Sequence, residues 1–170
     1  ANGDEEGCKW EDGDVTTPAG FKEAYKQYVD GGWTGMTHPE ELGGQNLPYS
    51  LGSVMAEWFS SANHSWAMYP GLSQGCIETL KEHGTAEQQK MFLNNLIGGH
   101  WTGTMCLTES HCGSDLGMLK CKAEKNEDGS YSLTGTKIFI SAGEHDMSDN
   151  IVHIVIARLP DAPSGTKGIS

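Results

Sequence analysis

The spacing of apolar residues changes once along this chain, near His100, and that change restricts the fold more than any other feature. Before it, apolar residues recur at helical spacing, with Phe21, Ala24, Tyr25, Tyr28 and Val29 forming one stripe. Thr17 and Pro18 are placed to start that helix and Gly31-Gly32 to stop it. A turn-rich stretch with Pro39 and Gly43-Gly44 follows, and Pro48 opens a second helix carrying Leu51, Val54, Met55, Trp58, Phe59 and Ala62. A third helix is expected from about Pro70, with Leu72, Cys76, Ile77 and Leu80 inside and Gly84 after its last turn. Thr85-Ala86-Glu87-Gln88 has capping-box form and launches a fourth, through Met91, Phe92, Leu93, Leu96 and Ile97. After residue 100 the period is two, the signature of strands. Residues 101–108 read as a strand, and Leu119, Cys121 and Ala123 alternate with Lys120, Lys122 and Glu124. The turn cluster 126–130 then leads to Tyr131 and Leu133 in a hairpin, and 136–141 and 151–159 read as two further strands. Helices followed by strands predict an α+β chain, an N-terminal α-helical bundle followed by an antiparallel β domain. The expected boundaries are an acidic tail over 1–14, a helical part over 15–100 and a β part over 101–170.

Charge narrows the partners. Acids number 23 against 11 bases, for a net charge of −12, and residues 1–14 hold six of those acids. Such a chain repels a phosphate backbone or an anionic membrane surface, which argues against nucleic acid. The apolar runs are too short to span a bilayer. Five cysteines without paired spacing argue against a disulfide framework and for a reducing compartment, so a cytoplasmic location is expected. No metal site is expected either: His100, Cys106, His111, Cys112 and Cys121 are close in sequence but lack the paired spacing of zinc ligands. Glu144-His145-Asp146 reads as a solvated turn, and His38 and His64 as surface or helix-end residues. There is no G-x-S-x-G elbow, no P-loop and no G-x-G-x-x-G after a strand. One segment stands out, Met105 to Asp115, which runs from a strand into a Gly113-Ser114-Asp115 turn able to offer backbone N–H groups and a hydroxyl to an anion.

Leu107-Thr108-Glu109, then Gly113-Ser114-Asp115, and some 25 residues later Lys137-Ile138-Phe139-Ile140-Ser141 together resemble the paired flavin-binding segments of acyl-CoA dehydrogenases. The resemblance extends from about residue 18 to the end, and 134–146 is most similar to the branch containing methylmercaptopropionyl-CoA dehydrogenase. It implies FAD as cofactor. Backbone atoms of Met105 and Leu107 and the Thr108 hydroxyl would meet the isoalloxazine edge, where fixed donors stabilise the negative charge of reduced flavin. Gly113 and Ser114 would approach the pyrophosphate, with Ser114 also touching acyl-CoA, while Phe139 and Ile140 lie beside the flavin and the Ser141 hydroxyl near its N5. Tyr69 and Ser73 are expected walls for the acyl chain. Three departures from the family pattern are Ser110 for a proline, Phe139 for a tryptophan, and His111-Cys112 for small residues.

The resemblance further implies an oxidoreductase that removes a proton and a hydride from an acyl-CoA thioester to give the 2-enoyl thioester. Electron-transfer flavoprotein is the implied acceptor, the full-length protein a homo-oligomer, and the compartment the mitochondrial matrix if the source is eukaryotic. Family members carry their catalytic carboxylate in a C-terminal helical bundle, so no residue here is assigned as base; Glu109 reads as structural. The chain is accordingly expected to be part of a longer enzyme, inactive alone and holding FAD weakly. A second reading, a non-catalytic module that binds acyl-CoA or a protein partner, draws on the missing base and the acidic surface.

Overall fold

The computed structural model describes residues 2–170 and divides into two compact units. One comprises Ala1–Thr104 and Ser141–His153, the other Met105–Ile140 and Ile154–Ser170.

The helical unit begins with a short helix, α1 (Asn2–Glu6), and a hairpin of β1 (Lys9–Glu11) and β2 (Asp14–Thr16). Asp12 and Gly13 both have positive φ in the two-residue turn between them, which is the backbone such a hairpin requires. The acidic N-terminus is thus ordered, although most of its side chains stay in water. Helix α2 spans Phe21–Asp30, three residues later than the Thr17 cap predicts. Gly20 precedes it at φ 84°, outside helical space, and Thr17 instead gives both its N–H (3.1 Å) and its hydroxyl (2.7 Å) to Asp146 Oδ1. Phe21, Tyr25 and Tyr28 face inward and join Met36, Met55, Trp66 and Met147 in one core cluster. Two of its aromatic polar atoms are paired within the chain: the Tyr25 hydroxyl donates to Gly99 O and Trp66 Nε1–H to Phe21 O.

Two expected helices form one long element, α3 (Tyr49–His83), broken at Asn63. Asn63 has extended backbone (φ −159°, ψ 94°), and its side-chain oxygen accepts from Trp66 N, so it caps the second half as an N-cap does. That half therefore begins at His64, and Pro70 lies buried inside it instead of opening it. The first half also turns differently from the predicted stripe. Met55 is buried and Phe59 partly so, whereas Leu51, Val54 and Trp58 are exposed. Helix α4 (Ala86–Ile97) has the full capping box, with Gln88 N donating to Thr85 Oγ1 and Thr85 N to Gln88 Oε1.

Strand β3 (Trp101–Cys106) pairs with β6 (Asn150–Val155). At Gly103 the backbone lies so close to Cys76 that an added Cβ would sit 2.3 Å from the cysteine Cβ, and Gly103 N–H donates to Ser73 Oγ. Two histidines read as exposed are buried here. His145 donates from Nε2 to Thr102 Oγ1 (2.9 Å) while its Nδ1 accepts from Met147 N–H, and His38 donates to Gln74 Oε1 (2.7 Å).

In the second unit β4 (Lys122–Lys125) and β5 (Tyr131–Thr134) form the predicted hairpin, with Ala123 opposite Leu133 and Gly129 at φ 85° in the turn. Leu119, Cys121 and Ala123 point inward and pack with Cys112 and Ala157. The stretch beyond β5 departs from expectation. Residues 136–141 form no strand, because Phe139 adopts φ 54°, a left-handed conformation that ends any extended run. The last expected strand likewise stops at Val155; beyond it Ala157 and Ser170 exchange both backbone hydrogen bonds, and the Arg158 guanidinium donates to the carbonyls of Leu119, Gly117, Pro163 and Gly165.

Candidate functional site

The two segments singled out in the sequence meet in the second unit. Leaving β3, residues 107–112 fold into a tight turn in which Glu109 and Cys112 exchange both backbone hydrogen bonds (2.8 and 3.1 Å). Ile138 N–H donates to Thr108 O (2.9 Å), and the Lys137 ammonium donates to Leu107 O and to Glu109 Oε1, each at 3.0 Å. The Glu109 carboxylate also accepts from the backbone N–H groups of Lys120 (2.8 Å) and Cys121 (2.9 Å). Glu109 is 5% exposed. Burial alone raises a carboxyl pKa, but the two N–H donors and the Lys137 charge outweigh it and hold Glu109 below the ordinary carboxylate range. A carboxylate this well satisfied is a poor proton acceptor, in keeping with a structural role.

Around this stitched turn the predicted residues are placed as follows. Met105 is exposed at the end of β3, and Leu107 and Thr108 are half-buried. The carbonyls of Leu107 and Thr108 are occupied, while among the described residues their N–H groups and the Thr108 hydroxyl have no hydrogen-bond partner. Gly113 lies beside Thr108; an added Cβ would meet only the Thr108 side chain, its methyl at 3.5 Å and its hydroxyl oxygen at 3.9 Å, so nothing in the chain itself demands glycine there. Ser114 is exposed. Phe139 is 88% exposed and held in left-handed backbone, a costly conformation for an aromatic residue. Ile140 is half-buried, whereas Ser141 is exposed and belongs to the helical unit. Unpaired donors, a glycine open to close approach and a bare aromatic ring suit a planar ligand with acceptor atoms on its edge and an anionic group beyond it.

Tyr69 and Ser73, expected beside an acyl chain, have internal roles in the helical unit. The Tyr69 hydroxyl is 3.4 Å from Cys8 Sγ and its ring stacks edge-on with Phe21 and His145, while Ser73 Oγ donates to Tyr69 O and accepts from Gly103 N–H. That unit also has a half-open, largely apolar pocket of about 660 Å³ bordered by Tyr28, Met36, Met55 and Phe59. The ligand atoms of Glu109, His111 and Cys112 lie within 4.8 Å of one another, a grouping that cysteine spacing does not reveal. The Lys137 ammonium on Glu109, and the 3.0 Å contact of His111 Nε2 with Met118 O, already engage two of the three donors. The Lys137–Glu109 pair itself was not singled out from sequence, although both residues stand inside the two quoted segments.

Comparison with known proteins adds to this geometry. The family described as acyl-CoA dehydrogenase, N-terminal domain, matches residues 8–100. A 3-methylmercaptopropionyl-CoA dehydrogenase from Ruegeria pomeroyi is 48% identical over 168 residues, covering 99% of this chain and 29% of the relative. Among solved structures, butyryl-CoA dehydrogenase from Megasphaera elsdenii superposes with a TM-score of 0.72 at 30% identity, over 87% of this chain and 38% of that one. An acyl-CoA dehydrogenase complexed with FAD from Bacillus anthracis does so with a TM-score of 0.68 at 30% identity, over 82% of this chain and 23% of that one. The chain therefore spans under two fifths of the length of each of these relatives.

Proposed function

The chain belongs to the acyl-CoA dehydrogenase family, and from that premise we propose that the protein it forms part of is an FAD-dependent oxidoreductase converting an acyl-CoA thioester to its 2-enoyl thioester. The observation that carries this reading is the pair of stitched segments, which leave the Leu107 and Thr108 N–H groups and the Thr108 hydroxyl unpaired beside Gly113. These donors hold the flavin edge, with Met105 contributing backbone contacts. Gly113 lets the FAD pyrophosphate approach, and the Ser114 hydroxyl serves both that group and acyl-CoA. Phe139 and Ile140 border the ring system, and Ser141 supplies a hydroxyl toward it. Bound FAD supplies the acceptor for a hydride from the thioester β-carbon, while the α-proton passes to a carboxylate. Glu109 is engaged by three donors and is not that carboxylate; on the family resemblance the base lies in a segment outside these 170 residues. Residues 15–100 and 101–170 correspond to parts of the helical and β domains of the longer enzyme. That enzyme is a homo-oligomer of the cytoplasm or mitochondrial matrix and passes electrons to electron-transfer flavoprotein. No helix among the described residues is long and apolar enough to cross a membrane.

The intact protein is expected to purify yellow and to bleach anaerobically when acyl-CoA is added. A colourless protein, or a yellow one inert to every acyl-CoA, overturns the reading. Thr108→Ala and Ser141→Ala should each weaken FAD binding or shift its reduction potential; if both keep wild-type values, those two roles are wrong.

A further inference from the structure

We infer that Lys137 and Glu109 are positioning residues that aim the Thr108 N–H at the ligand edge; the inference rests on the reading of this turn as a flavin site. The argument starts from the peptide plane. In a trans peptide the C=O and the following N–H point in opposite directions. Lys137 Nζ holds the Leu107 carbonyl at 3.0 Å, so the N–H of the same peptide group, that of Thr108, is turned away from the lysine and left without a partner in the chain. Glu109 fixes the lysine in turn. Its Oε1 takes the ammonium at 3.0 Å, and its own direction is set by Lys120 N and Cys121 N, from the two residues just before β4. Ile138 N on Thr108 O works on the next peptide group, whose N–H is the one donated to Cys112 O. Two consecutive peptide planes are thus oriented from the same side, one by an ion pair and one by a backbone bond.

Stability alone does not account for the pair. The Lys137 side chain is 10% exposed and that of Glu109 4%. Removing two charges from water at such a site costs about as much as their attraction returns, and an apolar pair of similar volume is often as stable. What an apolar pair lacks is a donor for the Leu107 carbonyl and a charge balance beside the ligand. With both residues present the local charge sums to zero; either one alone leaves a full charge a single peptide group from the donor.

The test uses the intact protein with Lys137→Met, Glu109→Gln and Lys137→Arg, and FAD as the probe. Lys137→Met and Glu109→Gln are expected to weaken FAD binding about tenfold, the loss of one well-aimed hydrogen bond. The flavin potential should move in opposite directions, upward in Glu109→Gln, which strands an ammonium, and downward in Lys137→Met, which strands a carboxylate. Lys137→Arg, keeping charge and donors, should restore most of the affinity. A merely structural pair would lower the melting temperature yet leave affinity and potential at wild-type values, and that result overturns the inference. If the wild-type protein binds no FAD, the proposed function fails, and the pair is judged by the amide resonance of Thr108: displaced in Lys137→Met it upholds the inference, unmoved it sinks it. Lys137→Gln replaces Lys137→Met in all arms should the latter not fold.

Discussion

At the scale of single residues, the two buried histidines set the response to mild acid. Burial draws the His145 pKa below its ordinary value, against the pull of Glu144 and Asp146, and burial likewise lowers that of His38, against Gln74 and Glu78 and helped by Lys81. Each imidazole therefore binds its proton less readily folded than unfolded. Their contribution to stability is whole above about pH 6.5 and is lost as pH falls from there toward the folded values. Thermal unfolding followed from pH 7.5 to 5.5 should show a declining midpoint. His145→Gln should begin about 1–2 kcal/mol less stable at pH 7 through its lost hydrogen bonds, yet decline less steeply. Glu109 and Asp146 titrate in a separate window, since their depressed pKa values hold their stabilisation until the pH falls below the ordinary carboxyl range. Neither histidine was legible as buried in the sequence. His145 sits in a polar loop, and the distant Thr102 and Tyr69, which help make the interior hospitable to it, are not adjacent in sequence.

At the scale of elements, short-range chemistry was legible and long-range competition was not. The Thr85 capping box needs only four consecutive residues, and the structure contains it bond for bond. Thr85→Ala should cost about 1 kcal/mol, read as a shift in the denaturation midpoint with an unchanged denaturant slope. The hairpin of β4 and β5 was equally plain, because its alternation and its turn are both local. Thr17 has the composition of an N-cap, but Asp146, 129 residues away, takes both of its donors. The break in α3 escaped for a related reason: Asn63 is one polar residue in a helical pattern, whereas Pro70, the louder signal, sits inside the helix. The stripe of Leu51, Val54 and Trp58 shows that period alone does not say which face of a helix is covered. The segments around Thr108 and Phe139 stand out in the sequence, but Phe139's left-handed backbone and the Lys137–Glu109 bond depend on how the two segments meet.

At the scale of the whole molecule, helices before strands were read correctly, while the partition of the chain was not visible. The helical unit recovers residues 141–153 after the β segments have begun, so its core contains Met147, far from every helix in sequence. A single change of period at residue 100 cannot announce that return. Burial is also distributed unevenly over one residue type, and this has a practical consequence. Of the five cysteines, none in a disulfide, only Cys8 is exposed; Cys76 lies against Gly103, its thiol pushed up to about 11 by burial, and Cys106, Cys112 and Cys121 are enclosed as well. Thiolate, not thiol, reacts with alkylating agents, and only where the reagent can reach it. Brief treatment of the 170-residue chain with iodoacetamide should therefore add one label per native molecule and five after denaturation, as counted by intact mass. A native protein carrying several labels would contradict the packing described. The molecule in effect carries its own census: one sulfur that reports presence, and four that report whether the fold around them is still closed.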